Sequence, residues 1–292
     1  MFRGVYAATS GMIAADRRQQ MLTNNIANAN TAGYKADQTV IRSFPEQLLE
    51  RIRDEKGLNV EGKPSFAGSS KIGRLSTGVY AQEAIPMFTA GPLKETGRKL
   101  DIALIDQGLV PNPETGKQGH LFFAVDSGEG EIRYTRNGQF THDANGYLTT
   151  GEGYRVLDNN MNPIYVGGDN FRVNEDGSIQ LNDNNNPNAQ QLYLGYTEDP
   201  TCLVKQGNGV LKYVGNDGTG RPIPLAQVEH LQNAGQLPAV VKQGFVEGSN
   251  VDVTRTMTDM MTTFRMYEAN QKVLQAYDRS MEKAANEVGR VY

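Results

Sequence analysis

The sequence predicts an α+β protein: long N- and C-terminal helices forming a coiled-coil-like pair, with an all-β domain inserted between them. Three observations predict it. From Ser249 to Tyr292, apolar residues recur in steps alternating four and three. From Met1 to about Asn30, a matching alternation is built from smaller residues. Between these ends the apolar runs are short and are separated by the tight-turn pairs Asn137-Gly138, Asn145-Gly146 and Asp176-Gly177.

The first helix places Val5, Ala8, Met12, Ala15, Gln19, Leu22, Ile26 and Ala29 on one seam. The last places Val253, Met257, Met260, Phe264, Tyr267, Gln271, Leu274, Asp278, Met281, Ala285, Val288 and Tyr292 on another. Met261, Met266, Val273 and Tyr277 widen its apolar face. At about 1.5 Å per residue this helix spans roughly 60 Å, too long for one compact domain to cover. Small residues facing large ones let two helices approach closely, so the two ends are expected to pair. The same periodicity also fits two separate helices, each docked on a globular core. Gly248-Ser249-Asn250 is expected to supply the stop and cap of the last helix. Gly33, with Asn30 as a second candidate, ends the first helix in the left-handed conformation. Asn24, Asn25 and Asn28 weaken a lone helix, and they make sense if their amides meet backbone groups of neighbouring chains.

After this terminal-helix domain, residues 1–42 plus 245–292, residues 43–84 read as a linker. Ser43 and Glu46 form a capping box around Pro45, opening a short helix to about Lys56. Gly57, Gly62, Pro64, Gly68, Ser69, Ser70 and Gly73 then break any regular pattern, with Phe44, Leu48, Leu49, Ile52 and Phe66 as its apolar contacts. Leu75 to Ala84 is expected to be extended. Residues 85–244 change to strand grammar, with short strands at Ile102–Ile105, Leu121–Val125 and Ile132–Thr135. Leu109–His120, with Pro111, Pro113, Gly116 and Gly119, reads as a surface loop.

The chain has 292 residues, a net charge of -4 and one cysteine, and its mean hydropathy is -0.53. The middle is long enough to bury a core. The mild acidity and the lack of a basic cluster argue against nucleic acid. Cys202 alone excludes an intramolecular disulfide framework and zinc sites with several thiolates. Thr9, Ser10, Asp16, Arg17 and Arg18 interrupt the N-terminal apolar run, so no cleavable secretory signal is expected, and no membrane insertion.

The residues carry little chemistry. His120, His142 and His230 lack metal-ligand spacing. Gly151-Glu152-Gly153 and Gly207-Asn208-Gly209 lack the remaining glycine of a dinucleotide fingerprint. Asn174–Gly177 resembles a calcium loop, but Arg172 stands where the first ligand belongs. Asp101, Asp106, Asp126 and Glu131 leave a glycoside-cleaving carboxylate pair open. No catalytic residue, cofactor or metal is expected, and the reading is not an enzyme.

Ser10-Gly11-Met12 and the run from Leu22 through Asn24-Asn25-Ile26-Ala27-Asn28-Ala29-Asn30 to Gly33-Tyr34-Lys35 resemble the N-terminal signature of bacterial flagellar rod and hook axial proteins. Gly244-Phe245-Val246-Glu247-Gly248-Ser249-Asn250-Val251-Asp252 and Phe264–Val273 are similar to the C-terminal one. Thr96–Ala103 and Tyr134-Thr135-Arg136-Asn137-Gly138-Gln139-Phe140 resemble the β-domain of distal-rod members, in which no insert corresponding to Leu109–His120 intervenes. The resemblance implies a structural subunit of the flagellar basal body, a homo-oligomer in a helical, torque-transmitting tube. Its partners would be other rod and hook subunits and the flagellar export apparatus. Assembly contacts are expected at Met12, Leu22, Asn24, Asn25, Ile26, Asn28, Asn30, Gly33, Asn250, Met257, Met260, Phe264, Tyr267, Asn270, Leu274 and Met281. Alternatives are a hook or proximal-rod subunit, an envelope-associated glycan hydrolase using the helices as an anchor, and a secreted binding module.

Overall fold

A computed structural model describes residues 2–45, 47–51, 70–106, 109–113, 115–128, 130–168, 170–181, 190–215, 220–228 and 240–288. It is α+β, with an N-terminal helix, a β-rich region and a C-terminal helix. The chain forms two compact units. One comprises residues 1–24, 38–85 and 254–292, and the other residues 25–37 and 86–253.

The first unit holds most of helix α1 (Phe2–Ala27) and of helix α2 (Val253–Lys283), which ends in a π-helical turn, Ala284–Val288. The helices run antiparallel where they touch. Gly4 lies against the ring of Tyr277, and Gly11 lies against the amide of Asn270. At these points the missing Cβ is what permits the approach. Strand Asp37–Ser43 pairs with Val79–Pro86, and Phe44 stacks on Tyr80 with centroids 5.4 Å apart. The amide of Val79 donates to Ser10 Oγ at 3.2 Å, which ties this ribbon to α1.

Three expectations are corrected here. The capped helix from Ser43 does not form over the described residues. Gln47–Arg51 is a strand, antiparallel to Ser70–Leu75 with Gln47 opposite Leu75. A five-residue Gln-Leu-Leu-Glu-Arg run has no periodic length, and an available hydrogen-bonding partner overrides its weak helical preference. Ile52, Lys56 and Phe66, with Gly57, Gly62, Pro64, Gly68 and Ser69, lie outside the described residues.

The second correction is to the α2 seam. Met260, Tyr267, Leu274 and Met281 are half-buried, but Met257 and Phe264 are exposed, Phe264 by 48%. The buried positions are Thr256 and Thr263, the latter 1% exposed. Thr263 Oγ1 donates to Asp259 O at 2.7 Å within its own helix. A hydroxyl satisfied in this way faces inward at little cost, and small side chains suit a close approach. Tyr292 lies outside the described residues.

The third concerns the helix ends. Gly33 adopts φ +68°, whereas Asn30 does not enter the left-handed region. Asn250 does not cap α2. Its amide is committed elsewhere, as shown below.

The second unit is built on a nine-stranded sheet. In order along the sheet run Leu203–Lys205, Val210–Tyr213, Ile132–Thr135, His120–Asp126, Arg155–Val156, Leu148–Thr150 and Phe140–His142. Leu194–Thr197 pairs with both His120–Asp126 and Ile223–Pro224. The His120–Asp126 strand is buried on both faces. Leu121, Phe123 and Val125 enter one apolar cluster, and Phe122 and Ala124 enter another. Alternation sorts consecutive side chains to opposite faces, so a strand covered on both sides reads as the continuous run Leu-Phe-Phe-Ala-Val. The Leu109–His120 segment before it, read from sequence as a surface loop, is anchored: Asn112 Nδ2 and Thr115 Oγ1 donate to Glu198 at 2.6 and 3.0 Å. Two separate pairings bring the C-terminal end of the unit back to its start. Val241–Gln243 lies antiparallel to Ile102–Leu104, and Phe245–Glu247 to Leu93–Glu95.

Candidate functional site

The motifs from the two chain ends and from the strand region converge, within the second unit, on a buried ionic cluster. It begins with Gly33, whose positive φ turns the chain out of the helical segment. A Cβ there would lie 2.5 Å from the backbone of Arg136, so glycine is required both for conformation and for space. Its amide donates to Glu247 O at 2.8 Å. Two residues on, Lys35 Nζ donates to Glu247 Oε1 at 2.7 Å and to Thr89 O at 2.8 Å. Arg136, following strand Ile132–Thr135, donates from Nε to Glu247 Oε2 and from Nη1 to Asp106 Oδ1, both at 2.7 Å. The Gly91 amide gives Glu247 a third partner at 2.9 Å. His120 Nδ1 lies 3.4 Å from Asp106 Oδ2 at the rim.

All four central charges are buried. Taking one ion out of water costs several kcal/mol, which alternating partners offset here. Burial works against the Glu247 carboxylate, yet Arg136 and Lys35 outweigh it and hold its pKa below the ordinary value. Asp106 is likewise lowered: burial opposes the charge, and Arg136 prevails. Burial also opposes the charge on Arg136, but Asp106 and Glu247 raise the guanidinium further. For Lys35, burial and the neighbouring Arg136 lower the ammonium against the pull of Glu247.

A shell of amides surrounds the cluster. Asn25, buried near the end of α1, donates to Asp37 O at 2.9 Å. Its Oδ1 accepts from the Asp37 amide and from the Tyr34 hydroxyl, both at 3.0 Å. Burial, with the Asp37 charge, pushes the Tyr34 phenol up to about 12, so it remains a neutral donor. Asn250 accepts from the Ala36 amide at 2.7 Å and donates to Met87 O at 2.8 Å. Lys205 Nζ closes the shell on Asp37 at 2.7 Å and lies over the Tyr34 ring.

Within the chain, the Asn25 amide bonds the Asp37 backbone and the Tyr34 hydroxyl. Asn28 Oδ1 also accepts within the chain, from Thr31. Leu22 is buried, Met12 and Ile26 are half-buried, and Asn30 is exposed. Asn24 lies in an open groove with Asp16, Thr23, Phe264 and Tyr267. Asn270 faces Gly11. Met257 and Phe264 stand outward, and Met260, Tyr267, Leu274 and Met281 are half-buried on α2. Lys35, Arg136 and Glu247 were missed as site residues, and Asp106 entered only as one of several carboxylates left open for glycoside cleavage. Lys35, Arg136 and Glu247 each sit inside one of the quoted motifs as a lone charge among apolar or small neighbours, which is the signal that could have found them. Asp106 carries no such signal.

Among the described residues no group of His, Cys, Asp and Glu could hold a metal ion. No described helix is long and apolar enough to cross a membrane.

Comparison with known proteins agrees with this arrangement. Residues 5–35 match the flagella basal body rod protein family. Residues 118–181 match the D1 domain of flagellar hook protein FlgE/F/G. Residues 242–287 match the C-terminal region of flagellar basal body rod FlgEFG proteins. The chain is 42% identical over 291 residues to flagellar hook-basal body complex protein FlhO of Bacillus subtilis, covering 100% of both. It is 28% identical to flagellar basal-body rod protein FlgG of Agrobacterium fabrum, over 94% of this chain and 95% of that one. Flagellar hook-basal body complex protein FlhP of Bacillus subtilis is 27% identical over 96% and 97% of the respective chains. The three matched segments contain the chain ends and the strand region that meet at the ionic cluster, and the full-length identity to FlhO spans them all: the chain belongs to the flagellar basal-body rod and hook-basal body protein family.

Proposed function

We propose that this chain is a structural subunit of the flagellar rod, of the distal-rod type, that self-assembles into a helical tube and transmits torque through repeated contacts without bond chemistry. The observation that carries the reading is the exposed apolar surface of α2: Met257, Met261 and Phe264 on one flank, and Met266 and Val273 on the other, stand open in a chain of low mean hydropathy. Exposed apolar patches of this kind mark interaction surfaces. A second patch, Tyr6 and Ile13, lies on α1. The contacts of Gly4 with Tyr277 and of Gly11 with Asn270 put that patch beside the C-terminal half of α2, level with Val273. Two different patches, one on each helix, favour heterologous contacts, and heterologous contacts that do not close build open filaments. Completion of the helix pair into a coiled-coil-like core, with Met12, Leu22 and Ile26 on one side and Met260, Tyr267, Leu274 and Met281 on the other, belongs to that assembled state. The partners are further copies of this chain, other rod and hook subunits, and the export apparatus that delivers them, at the basal body of the cell envelope.

Phe264→Asp tests the reading. A carboxylate buried at a subunit contact without a partner costs several kcal/mol, whereas an exposed substitution changes folding stability by only about 0.5 kcal/mol. The variant should melt like the parent and be absent from isolated hook-basal bodies. Incorporation at parental levels would refute the assembly role of this face. The matched region named for hook proteins favours the hook as second reading. Labelled subunits found along the hook, and not in the rod, would select it.

A further inference from the structure

The exposed face of α2 is rich in sulfur, and sulfur is chemically reactive. Met257, Met261 and Met266 are 49%, 57% and 54% exposed. Met257 and Met261 stand on the same side of the helix as Phe264, two turns and one turn before it, whereas Met266, two residues after it, stands on the opposite flank. Met12, Met21, Met260 and Met281 are half-buried, and Thr39 Oγ1 donates to the Met21 sulfur at 2.8 Å. The sulfurs that a solvent oxidant reaches most readily on the helices are therefore those of the proposed assembly face.

We propose that Met257, Met261 and Met266, on the two flanks of one exposed helix, are redox-sensitive modification sites: a peroxide oxidises them in the free subunit and so blocks its addition to the assembly. The inference rests on the assembly reading of α2. A thioether lone pair attacks one peroxide oxygen, the O–O bond breaks as the S–O bond forms, and the other oxygen leaves as water with both protons. Sulfur loses two electrons and hydrogen peroxide gains them. The product exchanges a flexible apolar side chain for a polar, chiral one. In water the new S=O group is hydrated. In an apolar contact between copies its oxygen has no donor, and an unsatisfied buried polar group opposes burial. Subunits already assembled are protected, because the contact covers the sulfurs. A sulfoxide reductase restores the thioether and with it the capacity to assemble.

The test uses the full chain and hydrogen peroxide. Peptide mass mapping of the free protein should show sulfoxide at 257, 261 and 266 accumulating about fivefold faster than at Met12, Met21, Met260 and Met281, following exposure. Sedimentation should show self-association of the untreated chain, its loss after peroxide, and recovery with sulfoxide reductase. The M257L/M261L/M266L variant should assemble with or without peroxide. Met87 and Met161, 42% and 37% exposed, still oxidise in that variant and so control for damage elsewhere. Uniform oxidation of all methionines, unimpaired assembly of the oxidised parent, or a triple variant that peroxide still blocks would each overturn the proposal. An untreated chain that stays monomeric would overturn the assembly reading itself, and this switch with it, while the oxidation map separates the two failures.

Discussion

Glu247→Gln is the perturbation that bears most directly on the ionic cluster. The amide keeps the size of the carboxylate but loses its charge and turns one acceptor into a donor. That donor meets either Lys35 Nζ or Arg136 Nε, each 2.7 Å from the present carboxylate and each itself a donor. Arg136 keeps Asp106, whereas Lys35 is left with the neutral carbonyl of Thr89. Removing one member of a buried ion pair costs about 3–5 kcal/mol. In a domain of roughly 150–250 residues each kcal/mol moves Tm by about 2–4 °C, so the variant should melt roughly 6–20 °C lower. Thermal unfolding of the full chain at neutral pH, followed with hydrogen exchange of strands His120–Asp126 and Phe245–Glu247, measures this. The Lys35→Met/Glu247→Leu double variant should lose less than Glu247→Gln, because it leaves Arg136 with Asp106 and no buried ammonium. A shift below about 2 °C for Glu247→Gln, or a double variant worse than the single, would refute the balance of charge and burial argued for this cluster.

Three further outcomes are expected. Gly33→Ala forces a side chain into positive φ and against the Arg136 backbone, and should cost the second unit about 2 kcal/mol or more in urea unfolding, without changing α2 helicity. Asn25→Ala orphans the Asp37 amide and the Tyr34 hydroxyl and should cost about 1–3 kcal/mol in the monomer. Full monomer stability with lost assembly would return Asn25 to an inter-chain role. Acid should destabilise the second unit. Asp106 and Glu247 have folded pKa values below their ordinary ones, so the unfolded chain takes up protons first as pH falls. The stability they contribute is complete above the ordinary carboxylate range and is lost through the lower folded values. Urea midpoints between neutral and about pH 3 should show that fall, and Glu247→Gln should flatten it.

The long helices and the central strand were legible because their signals are long or strong. The alternation on α2 persists over many turns, and Leu121–Val125 is continuously apolar. Misreadings came where apolarity and burial part company. Met257 and Phe264 are the larger apolar residues, yet Thr256 and Thr263 face inward, since their bulk suits the close approach and a hydroxyl can bond back into its own helix. Leu48 and Leu49 carry an apolar pair that fits a helix or a strand equally, and the partner at Ser70–Leu75 decides between them. At the site, the motifs were visible but their meeting was not. Lys35 and Glu247 stand 212 residues apart, and no local pattern encodes a pairing over that distance. The amides of Asn25 and Asn28 read as a surplus seeking neighbours because the Asp37 backbone and Tyr34 hydroxyl reach Asn25 only when the chain turns at Gly33, and the Thr31 hydroxyl meets Asn28 Oδ1 only past the helix end.

The ion pair between Lys35 and Glu247 also sets an order in time. In a chain that appears from its N-terminus, Lys35, Asp106 and Arg136 are present long before Glu247 exists. The entropy of closing so long a loop grows only slowly with its length, so distance is no great obstacle once both ends are there, but until then Lys35 lacks its counter-ion and Arg136 has half of its own. The strand Phe245–Glu247 arrives with the carboxylate, and so does the Asn250 amide that bonds Ala36 and Met87. The second unit is thus fastened last, by a segment made after every strand of the large sheet, and a chain cut short before it has every large core residue of the sheet and no closed cluster.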